Sequence, residues 1–64
     1  MRGYAKAVRE HLSQAGCFFV RHGKGDHDIW FSPITKRGVT VDHHIDSCHT
    51  ANGILKDAGI GKKF

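Results

Sequence analysis

A histidine between two aspartates, Asp26-His27-Asp28, follows a Gly23-Lys24-Gly25 turn and precedes the apolar pair Ile29-Trp30. These residue types suit work on a phosphodiester. Cleavage of RNA needs a base for the 2′-hydroxyl, an acid for the leaving oxygen and positive charge around the phosphate. Imidazole can serve as acid or base near neutrality. Gly23 and Gly25 let the backbone approach a phosphate closely. Lys24 can touch that phosphate, and Arg21, Lys36 and Arg37 can extend a basic track. A carboxylate at Asp26 or Asp28 beside His27 favours the charged imidazole, which suits a proton donor more than an acceptor. Read from the residues alone, His27 either does this chemistry or merely begins a strand.

A second group, His43-His44-Ile45-Asp46-Ser47-Cys48-His49, holds residue types that bind zinc. Its spacing matches no usual two-pair zinc pattern, so solvated histidines are the simpler reading, and no metal or other cofactor is expected. His11 and His22 read as surface groups.

The chain of 64 residues is too small for both a large core and an enclosed substrate pocket. Any active site must be shallow, and its substrate a polymer held outside the fold. Ten Lys/Arg against six Asp/Glu give a net charge of +4 with neutral histidines. That balance suits a polyanionic partner. Two cysteines, Cys17 and Cys48, are too few for a disulfide framework, and Cys17 reads as a buried thiol. The first sixteen residues lack the apolar centre of a secretory signal, and no stretch is long enough to span a membrane. A cytoplasmic location is the expectation.

The elements that must position these residues follow from pattern. In residues 4–15, Ala5, Val8, Leu12 and Ala15 recur at helical spacing, and Gly16 stops the helix. Residues 17–22 read as an aromatic, β-branched strand. Residues 27–31 form a second strand, with Ile29 and Phe31 expected inward and Asp28 and Trp30 outward. Ser32-Pro33 ends it. Residues 37–41 form a third, with Val39 and Val41 inward and Thr40 outward. The short connections make the sheet antiparallel. Residues 49–58 give a second helix with an Ala51, Ile54, Leu55, Ala58 stripe, a Thr50 or Ser47 cap and a Gly59 stop. The expected fold is α+β in the order α-β-β-β-α, one domain over residues 1–64. Two helices cover one face of a three-stranded antiparallel sheet. The open face carries Phe19, Arg21, Asp28, Trp30 and Thr40. His27 has the parity of the inward set, so it must lie beyond the core edge or be turned out by a bulge.

With this order in place, the chain resembles the HicA-type toxins, the small ribonuclease halves of bacterial toxin–antitoxin pairs. The matching segments are "AGCFFVRHGKGDHDIWFSP" (15–33), "VTVDHH" (39–44) and "TANGILKDAGI" (50–60). The resemblance implies a double-stranded-RNA-binding-domain-like fold that cleaves messenger RNA without a metal. It implies a single catalytic histidine, which by position is His27 in Gly25-Asp26-His27. His44 falls where many members carry a histidine after the third strand, and would help orient RNA. A HicB-type antitoxin is the implied partner. Asp26 stands where many members have serine, and Asp46-Ser47-Cys48-His49 replaces their usual lysine run. Trp30 and Phe19 on the open face would stack on RNA bases or pack under the antitoxin.

Three readings are set apart by their requirements. A metal-independent endoribonuclease needs His27. A catalytically silent RNA-binding module needs the basic residues but not His27. A zinc-stabilised mini-domain needs the Cys48 group and bound metal.

Overall fold

The computed structural model describes residues 3–64. The elements run α1 (Ala5–Gln14), β1 (Phe18–His22), β2 (His27–Ser32), β3 (Arg37–Asp42) and α2 (Cys48–Asp57). All five sequence-based elements are present, each within about two residues of its expected ends. The strands form one antiparallel sheet in the order β1-β2-β3.

Local chemistry explains the boundaries. Gly16 ends α1 at φ +90° and Gly59 ends α2 at φ +83°, a left-handed region that costs glycine little. Ser47, not Thr50, caps α2: its hydroxyl accepts the His49 amide at 3.1 Å. Val8 and Leu12 of α1 are buried, as are Ala51, Ile54 and Leu55 of α2. They meet Val39 and Val41 of β3 in one core that also holds Cys17, Ile45 and Ala58. Both helices therefore cover the same face of the sheet.

The parity expected for β2 is reversed. Trp30 is 8% exposed and belongs to the core, while Ile29 and Phe31 are only half-buried. Register fixes this. Trp30 pairs with Val39 and Asp28 with Val41, so Asp28, Trp30 and Ser32 share the helix-covered face. The indole area outweighs that of Ile29 in the competition for burial. Ser32 is fully buried, and its hydroxyl donates to the Ala58 carbonyl at 2.6 Å. This bond ties β2 to the end of α2. Trp30 is thus not an open-face stacking platform. Its edge reaches only a groove beside Lys6, Arg9 and Gln14 of α1.

β1 also departs from simple alternation. A bulge between Phe19 and Arg21 leaves Phe18 opposite Phe31 and Arg21 opposite Ile29. Phe18 and Arg21 therefore join the open face with Ile29, Phe31 and Thr40. Phe19 falls on the other face opposite Trp30, with ring centroids 6.4 Å apart. Phe18 stays 54% exposed and packs on Phe31 at 5.5 Å.

Candidate active site

The reversed parity of β2 resolves the position of His27. Its strand-mates Ile29 and Phe31 face outward, so His27 does too, with no bulge needed. It pairs across the sheet with Asp42, the last residue of β3. The His27 Nδ1 lies 2.7 Å from the Asp42 Oδ1. The side chains are 48% and 38% exposed. Cross-strand neighbours on one face of an antiparallel pair are the closest side chains a sheet offers, so two strands of fixed register set this pair.

Asp42 fixes more than ring orientation. The contact has the distance of an ion pair, and the Nε2 is the ring nitrogen on the side away from the carboxylate. In the neutral ring that nitrogen accepts a proton; in the charged ring it donates one. Asp42 was not among the residues singled out in the sequence. Its only signal was an acidic residue closing the third strand, and linking it to His27 requires the register.

The Gly23-Lys24-Gly25 turn leads into His27. The Gly23 amide donates to the His27 carbonyl at 2.7 Å, which closes the turn at the strand end. Gly25 sits at φ +69°, and a methyl group there would touch nothing within 4 Å. Backbone conformation alone accounts for glycine at this position, and the space above it is open to a ligand. Lys24 is exposed in the same turn.

The other expected site residues are more scattered. Arg21 shares the open face through its pairing with Ile29. Lys36 and Arg37 lie at the opposite end of the sheet, since Arg37 pairs with Ser32 and His27 with Asp42. Five residues of strand separate those pairs, roughly 17 Å at about 3.3 Å per residue. They can hold only a distant stretch of a long ligand. His44 lies beyond β3 and lines a groove with Lys6, Arg9 and His43 beside α1.

Neither flanking aspartate serves His27. Asp26 is exposed, and its carbonyl accepts the His43 amide at 2.9 Å. Asp28 points to the other face. There its Oδ1 meets the His22 Nδ1 at 2.8 Å and the His43 Nε2 at 2.9 Å. Hydrogen bonds from His43 first, and then from His22, hold its carboxyl below the ordinary carboxylate value. Among the described residues no helix is long and apolar enough to cross a membrane.

The family model described as the HicA toxin of bacterial toxin-antitoxin matches residues 5–60. No curated protein and no solved structure gives a significant match.

Proposed function

Since the chain belongs to the HicA toxin family, we propose that it is the toxin of a toxin–antitoxin pair and acts as a metal-independent endoribonuclease on messenger RNA. The observation that carries this reading is the His27–Asp42 pair at 2.7 Å on the open face, beside a glycine turn bearing Lys24. The His27 Nε2 takes the proton of an RNA 2′-hydroxyl. The 2′-oxygen attacks the adjacent phosphorus, and the bond to the 5′-oxygen breaks. The imidazolium then faces the leaving oxygen with a proton to give. The products are a 2′,3′-cyclic phosphate and a free 5′-hydroxyl, and the ring returns to its neutral form. Lys24 and Arg21 offset the charge that gathers on the phosphate. Lys36 and Arg37 bind the strand farther along, as sequence-independent backbone contacts.

An open site has no lid of its own, so control falls to a second chain. An acidic antitoxin of HicB type suits the basic turn. It also suits the exposed Phe18, which offers an aromatic contact on the same face. Trp30, buried under the helices, has no part in this.

The test is His27→Ala against wild type, with purified RNA in EDTA and with growth after induction. The expected result is a folded variant, shown by circular dichroism, that neither cuts RNA nor arrests growth. A variant as toxic as wild type would overturn the assignment of His27. Wild type that binds RNA without cutting it would favour a silent binding module.

A further inference from the structure

On the face of the sheet opposite His27, three potential ligands converge from three different segments. His22 ends β1, Asp28 is the second residue of β2, and His43 follows β3 directly. The His22 Nδ1, an Asp28 carboxylate oxygen and the His43 Nε2 all lie within 4.8 Å of one another. We propose that these side chains form a binding site for a divalent transition ion of the zinc class, separate from the ribonuclease site.

The donor chemistry fits. Two imidazoles and one carboxylate are ligands that zinc accepts, and three protein ligands leave a fourth position for water. The geometry is nearly assembled. In a tetrahedral site with metal–ligand distances near 2.1 Å, neighbouring donor atoms stand about 3.4 Å apart. Here the two nitrogen–oxygen separations are 2.8 and 2.9 Å. Opening those two separations by about half an ångström, and bringing the two nitrogens, which lie within 4.8 Å of each other, to the same spacing, completes the centre. In the metal-free state Asp28 accepts a hydrogen from each imidazole. Binding moves each ring hydrogen to the other nitrogen, so the neutral rings turn their lone pairs inward and the carboxylate stays ionised.

The backbone supports the placement. His22 and Asp28 are directly paired across β1 and β2. The His43 amide is anchored on the Asp26 carbonyl at 2.9 Å. Asp28 itself is only 15% exposed, between two more exposed rings. A metal here would staple all three strands at one end of the sheet. In so small a domain such a staple adds usefully to a modest core. The Cys48 group takes no part. Among the described residues, His43 alone of the 43–49 run joins a cluster of this kind.

The experiment uses the full chain freed of metal by chelator dialysis. Zinc titration by calorimetry, and cobalt(II) absorption as a coordination probe, should show one ion per chain with a tetrahedral cobalt spectrum. Saturating zinc at a hundred times its Kd should raise Tm by roughly 10 °C or more. His22→Ala, Asp28→Ala and His43→Ala should each weaken binding beyond the roughly 10–100-fold cost of losing an outer partner. His44→Ala, His49→Ala and Cys48→Ser should not. In wild type, zinc should shift the ring NMR signals of His22 and His43 and leave those of His27 and His11, a readout that survives if a variant unfolds. Absence of one-to-one binding at micromolar zinc overturns the proposal. So does binding that follows Cys48 and His49, or shifts confined to other histidines. RNA cleavage should continue in EDTA, so this site and the ribonuclease reading can fail independently.

Discussion

Asp42 offers the sharpest quantitative test of the active-site reading. Among the described residues its side chain makes one ion-pair contact, with the His27 Nδ1, and both side chains stand well exposed to water. Exposed ion pairs and hydrogen bonds are worth about 0.2–1 kcal/mol. If the role of Asp42 is to hold the ring in one orientation and tautomer, losing it releases about that energy. One kilocalorie per mole is about fivefold in rate. Asp42→Ala should therefore lower kcat by at most about fivefold. His27→Ala removes the proton-transfer group itself and should cost about 10²–10⁴. Asp42→Asn keeps the side chain's shape beside the ring but not its charge, and should fall between wild type and alanine. The KM should hold steady or drop, because a negative charge beside the phosphate is gone. The assay is single-turnover cleavage of a fluorescent oligoribonucleotide by all four variants, including the double mutant. Asp42 acts only through His27, so in the His27→Ala background Asp42→Ala should add nothing. A further loss of about the same size in that background would refute the reasoning, because Asp42 would then act independently of the ring.

Other outcomes follow from single contacts. Ser32→Ala should destabilise the fold by about 1–3 kcal/mol, since the buried Ala58 carbonyl loses its donor; thermal melting checks this, with about 4–8 °C lost per kilocalorie. Gly25→Ala should cost about 1–2 kcal/mol from its left-handed backbone alone, and urea midpoints measure it. Asp28 has a lowered folded value, so its stabilising effect is present above its ordinary value of 3.8 and fades as pH falls through the lowered one. In EDTA, Asp28→Asn should therefore flatten the acid limb of the stability curve, as followed by circular dichroism. Lys24→Glu and Phe18→Ser should each weaken capture of a HicB-type antitoxin in a pull-down. Unchanged capture by both would place that partner elsewhere.

The fold was legible because its signals were local. Each helix stripe recurs at helical spacing and ends at a glycine that takes positive φ. The turns at 23–25 and 33–36 bound strands rich in aromatic and β-branched residues. The faces of β2 were less legible because each set carries a large apolar residue: Ile29 with Phe31 on one side, and on the other Trp30 between the polar Asp28 and Ser32. Alternation alone cannot rank them, and burial of the larger indole against Val39 settled it through tertiary packing. The β1 bulge was invisible for a related reason. Phe18, Phe19 and Val20 form an unbroken apolar run with no glycine to mark an extra residue. The site was half legible. His27, Lys24 and Gly25 are contiguous, so the sequence showed them together. Asp42, and the meeting of His22 with His43 over Asp28, depend on register between strands far apart in the chain.

Asp26-His27-Asp28 carries the two proposed sites along one strand. In a pleated strand, neighbours face opposite ways. His27 faces Asp42 on the open side, and Asp28 faces His22 and His43 on the other. What decides which residue goes where is the core, not the turn. Asp28 shares its parity with Trp30, which the helices cover, and with Ser32, which is hydrogen-bonded to the end of α2. Those two anchors lock the strand. A slip of one residue would bury Ile29 and Phe31, strip Trp30 from the core and exchange the two faces. The exposure of His27 is therefore a consequence of packing three to five residues away. On the proposed reading the glycine turn needs only to leave room for a phosphate, while the buried side of β2 aims the imidazole.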